Sequence, residues 1–178
     1  PNELNTVIIE SPHTVDLNTD GTFTSLDVES GGTLRWTSSS DLLVRNGGSI
    51  DIHSGGVFSR NGFTNANIVI VDEWQDATIN IDGTASAYDL RLQNFQGSVT
   101  LSGSSGLTLG DDIFITGDGN SFESTYFNFD ADIRLINNLS GTLSVGGDIG
   151  ISATGSGNFL FENYGIFDLN GSITNIDG

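Results

Sequence analysis

Apolar residues recur every eight positions along one stretch of the chain, at Leu26, Leu34, Leu42, Ile50 and Phe58, and Gly-rich turns separate most of the segments they open. In Leu26-Asp-Val28, Leu34-Arg-Trp36, Leu42-Leu-Val44 and Ile50-Asp-Ile52, residues i and i+2 are both apolar. Such residues share one face of a strand, so each triplet sends two side chains into a core. Ser30-Gly-Gly-Thr33, Asn46-Gly-Gly-Ser49 and Ser54-Gly-Gly-Val57 offer the positive φ that a sharp corner requires. Three sides of this kind make one circuit of roughly 24 residues, the size of a structural repeat.

The middle of the chain keeps the triplets but loses the interval: Ile68-Val-Ile70, Ile79-Asn-Ile81, Leu90-Arg-Leu92 and Val99-Thr-Leu101. A longer unit follows. Leu107-Thr-Leu-Gly-Asp-Asp-Ile-Phe-Ile115 aligns with Phe127-Asn-Phe-Asp-Ala-Asp-Ile-Arg-Leu135, with Leu143-Ser-Val-Gly-Gly-Asp-Ile-Gly-Ile151 and with Phe167-Asp-Leu-Asn-Gly-Ser-Ile173. The polar stretches Gly117-Asp-Gly-Asn-Ser121 and Ala153-Thr-Gly-Ser-Gly157 absorb the length differences as outward loops. The best helix candidate, Val71 to Ala77, lacks an apolar stripe. The expected fold is therefore all-β: one domain over 1–178, a single-stranded parallel β-solenoid, right-handed, of about eight or nine turns. A left-handed hexapeptide solenoid is the alternative, because 107/113, 127/133, 143/149 and 167/173 are six apart; that step is never sustained for a third time.

Charge narrows the partners. Five Arg, no Lys and 23 acidic residues give a formal charge of −18, which repels nucleic acid phosphates and anionic lipid. Two readings of the acidity stand side by side. Either the surface is adapted to salty or calcium-rich surroundings, or Asp and Asn are present as turn formers, as the 17 Asp against 6 Glu suggest. No apolar run is long enough to span a bilayer. Cys, Met and Lys are absent, while Gly, Ser, Thr and Asn abound, which points to an extracellular or cell-surface location. A chain that opens on Pro1 without Met is expected to be a processed protein or an excised segment.

Val7-Ile-Ile-Glu-Ser-Pro-His-Thr-Val-Asp-Leu17 continues through Ser25-Leu-Asp-Val-Glu-Ser-Gly-Gly-Thr-Leu34. That opening resembles bacterial secreted parallel β-helix proteins of the adhesin and autotransporter-passenger types and the surface proteins of gliding bacteria. The Ser-Gly-Gly-Thr-Leu and Asn-Gly-Gly-Ser-Ile units are similar to their repeats over about the first 60 residues, and the remainder shares only the pattern. The resemblance implies a fold and a cell-surface context rather than an activity.

Asp16-Leu-Asn-Thr-Asp-Gly-Thr-Phe-Thr-Ser-Leu-Asp27 is the sharpest motif. It resembles the calcium loops of EF-hands, and those of dockerins more closely, with Asp16, Asn18, Asp20 and Asp27 as ligands and Gly21 at the tight turn. The other reading is an Asp-Gly turn between two strands. Gly110-Asp-Asp-Ile-Phe-Ile-Thr-Gly-Asp-Gly-Asn120 resembles the paired-aspartate motif of polygalacturonases, in which two carboxylates act as acid and base. The Gly-His-Gly and Arg-x-Lys segments of that family are missing, which favours a solvated corner at Asp111 and Asp112, repeated at Asp130/Asp132 and Gly147/Asp148. His13 and His53 stand alone in the sequence, each at an expected turn.

Phe127, Phe129, Phe159 and Phe161 are expected in the core, whereas Phe58, Phe63, Trp74, Phe95 and Tyr126 fit no triplet and would mark a sugar-binding or subunit surface if exposed. Asn138-Leu-Ser140 and Asn170-Gly-Ser172 match the N-glycosylation pattern. Neither end carries a recognisable cap, and open strand edges template further pairing. The expected function is non-enzymatic: a structural protein that assembles head to tail with copies of itself into a filament or surface layer. A carbohydrate-binding or adhesion module is the alternative.

Overall fold

The computed structural model describes residues 6–71, 76–93, 97–116, 133–152 and 159–175. The described residues contain no helix, hence none long and apolar enough to cross a membrane. The helix candidate fails at both ends, since strands stop at Val71 and start at Ala77; residues 72–75 lie outside the described set.

Two sheets account for the strands. The larger has 12: β1 (Thr6–Ile9), β3 (Gly21–Val28), β5 (Ser40–Ile52), β7 (Ala66–Val71), β8 (Ala77–Ile81), β10 (Leu90–Gln93), β11 (Gly97–Gly103), β13 (Ile113–Thr116), β14 (Ile133–Leu139), β16 (Ile149–Ser152), β17 (Phe159–Asn163) and β19 (Ile173–Asn175). The smaller has seven: β2 (Thr14–Leu17), β4 (Thr33–Trp36), β6 (Val57–Ser59), β9 (Thr84–Ala87), β12 (Leu107–Leu109), β15 (Thr142–Val145) and β18 (Ile166–Leu169). Every described pairing is parallel.

The larger sheet is curled into two arms, β1-β3-β5-β8-β11-β14-β17 and β5-β7-β10-β13-β16-β19, which share the long strand β5. Ser40–Arg45 of β5 pairs with β7, while Ser49–Ile52 pairs with β8. The expected turn at Asn46-Gly-Gly-Ser49 is thus a bend inside one continuous strand. Gly47 adopts φ +63°, and any Cβ on Gly48 would collide with the Thr24 carbonyl oxygen of the strand alongside. β3 bends at the same place, with a register shift between Phe23 and Ser25.

The eight-residue interval becomes register. Leu26 pairs with Ile50 in one arm, Leu34 with Phe58 in the small sheet, and Leu42 with Ile68 in the other arm. All four early triplets are buried to 1 % exposure or less at both apolar positions. Trp36 and Phe58 meet edge to face at 4.8 Å, and the Trp36 indole N–H donates to the Ser40 carbonyl at 3.0 Å. Phe58 is therefore core rather than a surface aromatic. The following small-sheet strand places Ala85 and Ala87 inward, leaving room for the two large rings. Phe63 packs against the core, Phe161 meets Phe167 at 4.9 Å, and Trp74, Phe95, Tyr126, Phe127 and Phe129 lie outside the described residues.

The later repeat holds for three of its four copies. Leu107 pairs with Leu143 and Leu143 with Phe167; Ile113 pairs with Ile149 and Ile149 with Ile173. The copy ending at Leu135 is out of phase, because Ile133 pairs with Gly97 in the other arm. Partners lie 22 residues apart at Asp76 and Ser98 but 36 apart at Asp112 and Asp148. Residues 117–132, which include one of the expected inserts, lie outside the described set, as does the other at 153–158.

Candidate functional site

The four expected calcium ligands are placed apart. Asp16 lies on β2 in the small sheet and binds Arg35 at 2.6 Å. That hydrogen bond holds its carboxyl below the usual carboxylate range. Asn18 is exposed between β2 and β3. Asp20 accepts the Asp41 backbone N–H at 2.9 Å. Asp27 lies on β3, beside His53. The twelve-residue motif is thus spread over the end of β2, a short link and most of β3.

Asp20 opens a column that runs along one corner of the large sheet. The register stacks Asp20, Asp41, Asn67, Asp89, Asp112, Asp148 and Ser172. Asn67 donates its side-chain amide to Asp41 at 2.7 Å; Asp89 accepts the Asp112 N–H at 3.1 Å; Asp112 accepts the Asp148 N–H at 2.7 Å; Asp148 accepts the Ser172 N–H at 2.7 Å. Elsewhere Asp76 caps the Ser98 N–H and Asp82 caps the Ser104 N–H, each at 2.8 Å. One carboxylate oxygen, held on a short side chain, satisfies a backbone donor that leaves its ladder at the corner. Glu is one methylene too long for this, which accounts for the preference for Asp at these corners. The Asp111-Asp112 pair belongs to the same device. Burial pushes the Asp112 carboxyl up, opposed by the Asp148 N–H and aided by Asp111, Asp89 and Asp148. The phenol of Tyr88 is pushed up by its hydrogen bond to Asp111.

A different arrangement occupies the corner after β3 and β5. Glu29 accepts the Gly32 N–H at 2.9 Å and His53 accepts the Gly56 N–H at 2.7 Å, each through its backbone carbonyl. Gly31 and Gly55, third in these two turns, have φ +79° and +84°, which makes both type II turns. The turns are stacked, with the Gly31 N–H donating to the Gly55 carbonyl at 3.0 Å. Glu-Ser-Gly-Gly and His-Ser-Gly-Gly are therefore equivalent corners of successive strands, and Glu29 and His53 occupy the same position in each. Asp27 sits two residues before Glu29, on the same outward side of β3, next to Asp51 in register. One ligand atom from each of Asp27, Glu29 and His53 lies within 4.8 Å of the others, the one such group of three or more among the described residues. The His53 Nε2 stands 2.9 Å from Asp27 Oδ1. In the sequence Glu29 and His53 each stand apart, and the Ser-Gly-Gly that follows both is what marks them as equivalent.

The two ends of the sheets present a third feature. Ile8 on β1 is 56 % exposed and Val15 on β2 is 40 % exposed. At the opposite end Leu160 on β17, Tyr164 just beyond it, Ile166 on β18 and Ile173 on β19 are exposed by 47, 71, 59 and 62 %. These six are the large exposed apolar residues among those described, and all lie on or beside the first or last strands of the sheet orders. His13 is exposed in a turn, its Nδ1 3.2 Å from the Glu10 carbonyl oxygen, and Asn138 and Asn170 are exposed.

Comparison with family models, with curated proteins and with solved structures finds no match for this chain.

Proposed function

We propose that the chain is a right-handed parallel β-solenoid that serves as a non-enzymatic extracellular structural element, joined end to end with copies of itself. The observation that carries this reading is that the large exposed apolar side chains among the described residues lie on or beside the terminal strands, where inward-facing Val15 and Ile173 have a described neighbouring rung on one side only, while Ile8, Leu160 and Ile166 face outward. A strand edge offers unpaired N–H and C=O groups, and apolar residues beside it add area to bury. Since each described pairing is parallel, the same pairing would continue from β17, β18 and β19 of one copy onto β1, β2 and the Gly21–Phe23 half of β3 of the next, which β1 leaves uncovered. The handedness follows from the strong right-handed preference of crossovers between parallel strands. The engagement of Asp112, Asp148, Asp82 and Asp20 as backbone caps supports a structural rather than a catalytic use of these carboxylates.

The small sheet has seven rungs among the described residues, against the eight or nine turns expected from the sequence; copies of this 178-residue chain stacked at the usual strand spacing would repeat about every 34 Å. Light scattering and electron microscopy across a range of salt test the proposal. Filaments with that repeat are expected at high salt, where the charge of −18 is screened. Ile173→Lys, at an inward position of the last strand, is expected to block their growth. A protein that stays monomeric at high concentration in every condition excludes head-to-tail assembly.

A second reading has its own support. On the outward face of the small sheet the register brings Ser59, Ser86, Thr108 and Ser144 into one row, beside Val57, Thr84 and Thr142. No charged residue interrupts these two rows between Arg35 and Asp168. A flat, neutral, hydroxyl-bearing face on so acidic a chain suits a neutral polysaccharide. Retention on insoluble neutral glycan, lost in Thr108→Glu, would favour this reading.

A further inference from the structure

We propose that Asp27, Glu29 and His53 form a binding site for a first-row divalent cation of the zinc type, one that clamps two successive strands of the large sheet together. The donor set is mixed, two carboxylates and an imidazole nitrogen, drawn from β3 and its turn and from the turn after β5. Imidazole with carboxylate suits zinc and its first-row neighbours, whereas calcium takes six to eight oxygens.

Three observations converge on the site. One donor atom from each of the three side chains lies within 4.8 Å of the others. Two ligands about 2.1 Å from a tetrahedral ion stand about 3.4 Å apart; the His53 Nε2 to Asp27 Oδ1 distance is 2.9 Å, the length of a direct ion pair, so the two groups would part by about half an ångström to admit the ion. Asp27 Oδ1 is enclosed and accepts no backbone N–H; the group before it is the His53 ring nitrogen at 2.9 Å. Elsewhere the corner carboxylates Asp20, Asp82, Asp112 and Asp148 accept a backbone N–H, but Asp27 Oδ1 has only the imidazole edge before it. An enclosed carboxylate oxygen that faces only an imidazole nitrogen is satisfied by positive charge, carried either by the protonated ring or by a metal ion that both groups ligate.

The surroundings favour cation capture as well. Asp51 is the register neighbour of Asp27. Pairing of Ile52 with Ile81 sets Asp82 beside His53, where the two interact electrostatically. The His53 and Asp27 side chains are 47 and 29 % exposed, so an ion has a path from solvent and room for water in its remaining positions. The stacked type II turns hold Glu29 and His53 at equivalent positions one rung apart, so both side chains leave the corner from the same place on neighbouring strands.

Isothermal titration of the whole chain with zinc alone, and separately with calcium alone, tests the assignment. One zinc ion per chain is expected for the wild type and for His13→Gln, the control for adventitious binding by the other histidine. His53→Gln and Asp27→Asn are expected to weaken zinc binding by more than about tenfold, at least the loss that outer-shell partners alone produce, with circular dichroism confirming the fold of each variant. A readout on the wild type covers variants that fail to fold: zinc is expected to move the nitrogen resonances of the His53 ring and leave those of His13 in place. The proposal is overturned if the wild type takes up no zinc, if His53→Gln binds it as well as the wild type does, or if His13→Gln abolishes uptake. Calcium binding that Asp20→Ala removes and His53→Gln leaves intact, with no zinc bound, would return the site to the Asp16–Asp27 segment.

Discussion

The strands at the two ends of the large sheet occupy the same columns and fill them differently. From the first strand onward one inward column runs Val7, Leu26, Ile50, Ile79 and Leu101, and then continues as Asn137 and Asn163. Over the aliphatic part the side chains stack with nothing to satisfy, so each adds burial and no obligation. From Asn137 onward the column is held by hydrogen bonds. Asn137 is fully buried; its Nδ2 donates to Asn163 Oδ1 at 2.7 Å, and its Oδ1 accepts the Leu139 N–H at 3.3 Å. The small sheet changes in parallel, from Leu34 and Phe58 at 1 % and 0 % exposure to a final strand in which Phe167 and Leu169 are only half-buried. An apolar column seals itself wherever neighbours exist on both sides, whereas an amide column specifies register at a corner that the core no longer fills. The early rungs thus rest on apolar burial, and the late ones add amide hydrogen bonds that fix register.

The largest effects should separate these two halves. Leu26→Ala or Ile50→Ala removes a fully buried side chain between occupied neighbours, with an expected loss of about 2–5 kcal/mol by denaturant unfolding. Ile166→Ala, on the exposed last strand, should cost less than about 1 kcal/mol in the monomer. Equal losses at both ends would remove the distinction between them. Next in size is Asn137→Ala, which strands the buried Leu139 N–H and should cost about 1–3 kcal/mol. Asn137→Leu extends the aliphatic column but leaves the same donor unpaired, so it should recover only part of that loss. Full recovery would mean that the amide contributes nothing beyond its volume.

Legibility in the sequence follows the same division. Where rungs are aliphatic and the interval is regular, as at Leu26, Leu34, Leu42 and Ile50, alternation and spacing suffice to state which residues share a column. Where the interval is broken the alignment by pattern slips: Phe127 to Leu135 repeats the paired apolar triplets of Leu107 to Ile115, yet Ile133 pairs in the other arm. Two adjacent arms with the same alternation cannot be told apart by hydropathy alone. The inward asparagine at 137 is likewise invisible to a search for apolar triplets, since a buried amide reads as a turn residue. Corner chemistry is harder still. Asp20 and Asp27 belong to one motif in the sequence, but the fold assigns Asp20 to a cap on Asp41 and Asp27 to His53, contacts whose partners lie a full circuit away.

The smallest predicted effect compares two capping carboxylates on opposite sides of their usual range. Asp82 accepts the Ser104 N–H and hydroxyl, which hold its carboxyl low in the folded chain. A group with a depressed folded value contributes stability that is complete above its unfolded value and lost as pH falls through the folded one. Asp112 is the reverse: burial and the carboxylates of Asp111, Asp89 and Asp148 hold it high, so ionising it in the fold costs more than in the unfolded chain. Its contribution is most favourable below the unfolded value, roughly pH 3.9, and is lost as pH rises through the folded one. Asp82→Asn should therefore destabilise at pH 7, with the difference from the wild type closing on acidification below about pH 4. Asp112→Asn keeps a carbonyl to accept the Asp148 N–H but removes the charge, and should stabilise at pH 7, that gain also vanishing in acid. Denaturant midpoints of the two variants against pH give both signs directly, and amide exchange at Ser104 and Asp148 localises them. If Asp112→Asn destabilises at pH 7, the column of aspartates is held by its charged hydrogen bonds more than it is strained by its crowding, and the acidic corner adds to the stability of the late rungs instead of drawing on it.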